Sequence, residues 1–216
     1  MYKNVIKRLI DFILSSIAII VLALPMLIIS IVLKIDDPGP VLFKQKRVGK
    51  KKNGEITYFM IWKFRSMKVS TPRDNPEQYI TRVGRFIRKT SLDELPQFYQ
   101  VFTSKLSIVG PRPALWSQED LVAEREKYGA NDLKPGITGW AQINGRDELE
   151  IDVKAKFDGE YAAALNAGKF KGFAMDVKCF FGTIVSVLKS DGFVEGGTGE
   201  MKKQEEENIE QKVTTK

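Results

Sequence analysis

Residues 12–33 read Phe12-Ile13-Leu14-Ser15-Ser16-Ile17-Ala18-Ile19-Ile20-Val21-Leu22-Ala23-Leu24-Pro25-Met26-Leu27-Ile28-Ile29-Ser30-Ile31-Val32-Leu33. No charged side chain interrupts these 22 positions, and the three serines are the only hydroxyls. An uncharged run of this length reads as a membrane segment rather than a buried soluble helix. A cleavable leader has a shorter apolar stretch, roughly 7–15 residues, and a small-residue cleavage site. This run passes directly into Lys34-Ile35-Asp36-Asp37-Pro38, which disfavours a leader. As a straight helix it would rise about 33 Å, enough to cross a hydrocarbon core of about 30 Å. Pro25 lies inside it, removes one helix hydrogen bond and pushes on the preceding turn, so a kink is expected there.

Both flanks of the segment are basic. Lys3, Lys7 and Arg8 against Asp11 give +2 before it, and residues 34–52 carry +5 after it. Lys- and Arg-rich flanks stay on the cytoplasmic side. A helix that enters, breaks at Pro25 and leaves on the same side would satisfy both flanks. From the residues alone a spanning and a re-entrant path are both open. Either path leaves the longer, more basic flank, and with it the main domain, in the cytoplasm.

Composition narrows the chemistry. The 216 residues hold 34 Lys and Arg against 27 Asp and Glu, a net charge of +7, with no histidine and one cysteine. Absence of histidine excludes Ser-His-Asp and Cys-His catalysis and imidazole metal sites. A single cysteine excludes an intrachain disulfide, a zinc finger and an iron–sulfur centre. Carboxylates, Lys, Arg, Tyr and hydroxyls remain, together with a hard metal ion.

The chain divides into a membrane segment (1–33), one cytoplasmic domain (34–196) and a disordered tail (197–216) that holds Glu205-Glu206-Glu207 and no aromatic residue. Within the domain, Val41–Phe43 and Ile56–Trp62 read as strands around a basic loop ending in Asn53-Gly54, a hairpin signal. Helices are predicted over Pro76–Lys89, Leu95–Phe102, Ser117–Tyr128 and Phe173–Leu188, with Lys134–Gly145 as loop or strand. The last helix sets Phe173, Val177, Phe180, Phe181, Ile184 and Leu188 on one stripe, facing either a lipid interface or the core. Cys179 within it is taken as structural. No internal repeat is visible.

Thr90-Ser91-Leu92-Asp93-Glu94-Leu95-Pro96-Gln97 is the sharpest local signal, two adjacent carboxylates where a helix begins. Ser91 with Glu94 has the spacing of a capping box, whereas a cap at Asp93 would place Pro96 where no hydrogen bond is lost. Either cap puts both carboxylates in a first turn, whose free N–H groups suit phosphate oxygens. Cations surround this stretch in sequence: Lys63, Arg65, Arg85, Arg88, and Arg112 between Pro111 and Pro113. Prolines on both sides stiffen the backbone at Arg112, and a guanidinium so held suits bidentate phosphate binding. Each basic residue taken singly also fits a solvated face or anionic headgroups. An aspartate nucleophile fits this inventory, because a carboxylate with a pKa of about 3.9 is ionised at neutral pH without a base. Its attack on an anionic phosphate needs cations, and carboxylate oxygen suits Mg²⁺.

At these residues the chain resembles the bacterial sugar transferase family, the monotopic polyprenyl-phosphate phosphoglycosyl transferases that begin capsule, exopolysaccharide and glycoprotein glycan assembly. The resemblance rests on Lys7-Arg8 with Asp11, the Pro25-broken segment, Asp37-Pro38-Gly39-Pro40-Val41-Leu42-Phe43-Lys44-Gln45 leading to Arg47-Val48-Gly49, and Lys63-Phe64-Arg65-Ser66-Met67. It continues through Arg88-Lys89 into the Thr90–Gln97 stretch, then Ser107-Ile108-Val109-Gly110-Pro111-Arg112-Pro113, and Lys134-Pro135-Gly136-Ile137-Thr138-Gly139-Trp140 to Arg146. It covers roughly residues 3–190.

The resemblance implies an α+β, mostly helical fold: a re-entrant membrane helix broken at Pro25, and a cytoplasmic catalytic domain with a small sheet and interfacial amphipathic helices. It implies a two-step, Mg²⁺-dependent reaction on a UDP-sugar. Asp93 attacks the β-phosphate and releases UMP, and undecaprenyl phosphate then takes the phosphosugar. Asp93 is placed at the metal, and Glu94 orients or deprotonates the lipid phosphate or helps hold the ion. Lys63, Arg88 and Arg112 match phosphate-binding cations. The implied location is the cytoplasmic face of the bacterial inner membrane, in contact with membrane lipid.

Two departures stand out. Leu24 occupies the position where the family often has Ser before the proline, and Asp147–Lys171 agrees poorly apart from Asp158 and Tyr161. The sugar, the pathway and the oligomeric state, a homo-oligomer included, stay open. The rival from another class is a non-catalytic membrane scaffold that binds anionic lipid, which leaves the Asp-Glu pair beside Pro-Arg-Pro unexplained. Nucleic acid is not an expected partner, because the membrane supplies a better anionic surface. A transferase moving only the sugar would release UDP, and such enzymes often carry an Asp-x-Asp metal motif that this sequence lacks.

Overall fold

The computed structural model describes residues 2–70, 76–145 and 149–189. The tail reading over 197–216 and Arg146 of the last matching stretch lie outside the described residues. After a π-helical turn (Tyr2–Ile6) the apolar stretch forms helix α1 (Lys7–Asp36). The helix runs through Pro25 as one 30-residue element, so the break expected there is not seen as an interruption of the helix. Ser30 Oγ donates to Met26 O at 2.7 Å and Ser16 Oγ to Phe12 O at 2.7 Å, so the hydroxyls are satisfied within the helix. Its middle is open: Ile20 is 76% exposed, and Val21, Leu24 and Leu27 are exposed beside it. Helix α1 is long and apolar enough to cross a membrane.

Both ends of α1 are seated on the same domain. Near its start, Asp11 accepts from Ser107 Oγ at 2.7 Å and from the Ile108 N–H at 3.0 Å. Arg8 donates to the carbonyls of Val101 (2.7 Å) and Phe102 (2.6 Å). Near its end, Leu33 is buried with Phe64 and Ile87, and Met26 and Ile29 pack against that cluster. The Asp37 that follows is clamped by Arg65 and accepts from the Val69 N–H at 2.9 Å.

The hairpin is longer than the sequence pattern implies. Strands β1 (Leu42–Lys52) and β2 (Glu55–Phe64) pair antiparallel from Leu42↔Phe64 to Lys52↔Glu55. They turn at Asn53 and Gly54, both at positive φ, as a tight hairpin turn requires. The Lys-rich stretch 44–52 carries no apolar alternation, but cross-strand rings support it: Lys46 Nζ lies 4.5 Å from the Tyr58 ring and Lys44 Nζ 5.4 Å from that of Trp62.

The helix expected over Pro76–Lys89 is a 3₁₀ turn (Pro76–Tyr79) and then α2 (Arg82–Lys89), capped by Thr81 Oγ1, which accepts from the Gly84 N–H at 2.9 Å. Next come α3 (Gln97–Phe102) and β3 (Ser107–Val109), which pairs in parallel with β4 (Gly136–Thr138). Helix α4 (Glu119–Glu126) lies between these two strands, and α5 (Trp140–Ile143) follows the second. Helix α6 (Ile151–Asn166) covers the region where the family match is weak, and α7 (Lys169–Lys189) ends the described chain.

Helix α7 decides the question left by its stripe. Phe173, Val177, Phe180, Phe181 and Ile184 are exposed, whereas Cys179 on another face is fully buried. The stripe does not face the core. The core sits between the start of α1, β2, β3, α6 and α7, around Ile61, Val101, Leu106, Tyr161 and Cys179. Burial pushes the Cys179 thiol up to about 12, as a structural cysteine requires. The architecture is α+β and mostly helical, with two small sheets.

Candidate functional site

Neither capping reading of the Thr90–Gln97 stretch holds. Ser91 adopts the left-handed conformation (φ 56°, ψ 17°), and its side chain caps nothing. A short 3₁₀ turn over Leu92–Glu94 follows, and α3 begins only at Gln97, after Pro96. A left-handed residue ends α2 abruptly, reverses the chain, and so points the two carboxylates back toward β2.

Four predicted site residues meet there. Lys63, near the end of β2, is 3.1 Å from Glu94 Oε1 and 4.0 Å from Asp93 Oδ2. Arg112 Nη2 donates to the same Glu94 oxygen at 3.2 Å. The side chains of Lys63 and Asp93 are 4% and 2% exposed, that of Glu94 12%, and that of Arg112 25%. Burial alone would raise the Glu94 pKa, but Arg112 and Lys63 overcome it and hold the carboxyl at about 2. Two cations are thus fixed around one ionised carboxylate, beside a second carboxylate, with Arg112 the most accessible.

The remaining cations divide. Arg88, on α2, donates through Nε to Ser66 Oγ at 2.7 Å, in the segment just past β2. Arg65 turns away to the Asp37 turn at the end of α1, and Arg85 is exposed. Pro25 lies on the open part of α1, away from this cluster. Sequence reasoning missed Ser66 as the partner of Arg88, although it stands inside the quoted Lys63–Met67 stretch. It also missed what Asp11 does: Asp11 anchors β3, the strand that runs into Pro111-Arg112-Pro113.

As donors for a metal, Asp93 and Glu94 offer adjacent hard oxygens. No group of three or more His, Cys, Asp or Glu that could hold an ion occurs among the described residues. A two-carboxylate set suits Mg²⁺, which keeps several waters and takes substrate phosphate oxygens as further ligands. Glu94 Oε1 is engaged by both cations, and Asp93 Oδ2 lies 4.0 Å from Lys63. The cluster can thus present an anionic nucleophile and several fixed cations to a phosphate.

Comparison with known proteins gives the same direction. The family model described as bacterial sugar transferase matches residues 2–190. An Escherichia coli (strain K12) UDP-glucose:undecaprenyl-phosphate glucose-1-phosphate transferase is 39% identical over 178 residues, covering 74% of this chain and 36% of that protein. The exopolysaccharide production protein PSS of Rhizobium leguminosarum bv. phaseoli is 37% identical over 207 residues, 88% of this chain and 98% of that protein. An Aeromonas hydrophila UDP-N-acetylgalactosamine-undecaprenyl-phosphate N-acetylgalactosaminephosphotransferase is 33% identical over 199 residues, 87% of this chain and 44% of that protein. The chain thus spans about a third of the Escherichia coli relative and nearly all of the Rhizobium one.

Proposed function

Because the chain belongs to the bacterial sugar transferase family, we propose that it moves a sugar-1-phosphate from a UDP-sugar to undecaprenyl phosphate and releases UMP. The carrying observation is the convergence of Asp93, Glu94, Lys63 and Arg112 at one buried point. In this reading an Asp93 carboxylate oxygen attacks the β-phosphorus of the donor. The bond from that phosphorus to the bridging oxygen breaks, and UMP leaves with that oxygen. The phosphosugar is held as an acyl phosphate on Asp93. A phosphate oxygen of undecaprenyl phosphate then attacks the same phosphorus, and Asp93 leaves as a free carboxylate.

Lys63 and Arg112 neutralise the phosphates, with Arg88 oriented by Ser66 as a third cation. Glu94 stays ionised and fixes Lys63 and Arg112 in place before substrate arrives, which lowers the reorganisation needed in the transition state. Mg²⁺ held by Asp93 would supply further charge neutralisation on the phosphates.

The seating of both ends of α1 on one domain supports a re-entrant path through the membrane, and the basic flanks support a cytoplasmic location. The exposed stripe of α7 and exposed Phe86 on α2 suit a lipid interface. In that position the reacting groups lie where a soluble nucleotide sugar and a lipid phosphate can meet. The relatives named above differ in the sugar they carry, so the donor is a matter for experiment.

The test is nucleotide release. Protein in detergent with Mg²⁺ and undecaprenyl phosphate meets a panel of UDP-sugars. UMP from one donor, absent with Asp93→Asn, is the expected result. UDP in place of UMP would replace this reaction with plain sugar transfer. No nucleotide from any donor, with folded protein, would favour the lipid-binding scaffold.

A further inference from the structure

A second basic recess lies at the other end of the molecule's membrane-facing helix. It is a cavity of about 270 Å³ between the start of α1, the β1–β2 hairpin and the loop before β4. Lys3, Lys7, Arg8, Lys50 and Lys134 line it, against the carboxylates of Asp11 and Asp132. None of the residues of the Asp93 cluster contributes to its lining.

The carboxylates offset it only in part: Asp11 accepts from Ser107 Oγ and the Ile108 N–H, neutral donors that leave its charge in place, Asp132 lies 3.6 Å from Lys51 outside the lining, and the lining cations outnumber the lining carboxylates. Only Lys7 of the five cations is paired with a carboxylate, Asp176 at 2.9 Å. Lys3 donates to Asn166 Oδ1, Lys134 to Ser104 Oγ and Arg8 to two backbone carbonyls, all neutral acceptors. Among the described residues, Lys3, Arg8, Lys50 and Lys134 form no ion pair. Burial and then the charge of Arg8 lower the Lys134 pKa, with Asp11 opposing and Lys50 and Lys7 adding to the shift; burial and then Lys50 lower that of Lys3, with Asp132 opposing. An anion in the recess would relieve this repulsion.

We propose that this cavity is a binding site for a phosphate group, separate from the reaction site. A small volume lined by four lysines and an arginine, with Lys3, Lys50 and Lys134 not paired with a carboxylate, matches a compact anion with several acceptor oxygens. Lys3 on the turn before α1 and Lys7, Arg8 and Asp11 on α1 line the cavity, while Leu9 and Phe12 beside them are exposed. With the apolar part of α1 in lipid, as proposed above, the recess opens at headgroup depth. The phosphate then comes either from a membrane phospholipid or from a soluble phosphate compound.

The test uses the full chain in detergent, freed of lipid, titrated by calorimetry with dihexanoyl phosphatidylglycerol and, separately, with inorganic phosphate. The wild type is compared with the double variant Lys50→Gln, Lys134→Gln, and both are assayed for UMP release. Any phosphate binding at the Asp93 cluster is common to both proteins. The expected result is affinity weaker by roughly tenfold or more in the variant, given the contribution of each removed charge. Loss for the lipid probe alone identifies a headgroup, and equal loss for both probes identifies the phosphate group as what is read.

Equal affinity of the two proteins for both probes overturns the proposal, as does the absence of any binding that the substitutions alter. The variant's Tm without phosphate should equal or exceed that of the wild type, because repulsion is removed. Should it fall instead, Lys3→Gln alone repeats the comparison. If the wild type binds a probe more tightly than the variant but releases no UMP from any donor, the transferase reading fails while this site stands.

Discussion

A lysine as buried as Lys63 must be matched by anions, because desolvation of a charge is costly unless it is paired. Glu94 supplies that match and shares it with Arg112, which is why its carboxyl is held at about 2 against an ordinary 4.5. A depressed carboxylate contributes stability that is full above its unfolded pKa and lost as pH falls through the folded one. Glu94→Gln is therefore less stable than the wild type at neutral pH, and the gap closes between about pH 4.5 and pH 2. Denaturation followed across that window checks it, and a gap that stays constant would refute the ion-pair account. A second residue-scale expectation concerns Ser66. Ser66→Ala removes the acceptor for Arg88 Nε, so in the proposed reaction KM for the UDP-sugar should rise several-fold while kcat changes less. An equal fall in kcat would instead place Arg88 in the transition state alone.

At the scale of elements, the fit of α2 against the segment after β2 is unusually close. A methyl group on Gly84 would stand 1.9 Å from the Ser66 carbonyl oxygen, a backbone atom that cannot give way. Gly84→Ala should therefore lower Tm by roughly 2–12 °C, the range for overpacking in a chain of this size. The same element scale shows what the sequence made legible. The hairpin followed from Asn53-Gly54 and the last helix from its periodicity, because both signals are local. The end of α2 did not, because Ser91 has a serine's capping chemistry but a left-handed backbone imposed by the chain reversal. Helix α6 escaped notice because its buried face carries Lys154 and Asp158 among alanines, and Asp158 is paired there with Arg125, 33 residues earlier and 2.8 Å away. The destination of Arg65 was equally hidden, since its partner Asp37 lies across the hairpin.

For the whole molecule, the decisive relation is between the two ends of α1. In the re-entrant reading, residues 4 and 36 face the same side of the membrane. The one native cysteine, Cys179, is fully buried and leaves little background for thiol chemistry. Asn4→Cys and Asp36→Cys, made separately, should both react with an impermeant maleimide from the cytoplasmic side of inverted vesicles, and neither from the opposite side. Labelling of the two from opposite faces would mean that α1 spans.

The anchoring of α1 also sets an order of events during synthesis. Asp11 is separated by 96 residues from Ser107, the side chain that holds it in the finished protein. At about 5–20 residues per second, the ribosome needs roughly 5–20 s to make that stretch. The apolar segment leaves the ribosome well before the strand, the guanidinium hosts and the hydrophobic seat that later fix both its ends. In the proposed re-entrant reading the apolar segment meets lipid before the domain can close around its ends, so conditions that delay its delivery to the membrane should leave it exposed while the nascent chain is most prone to aggregate.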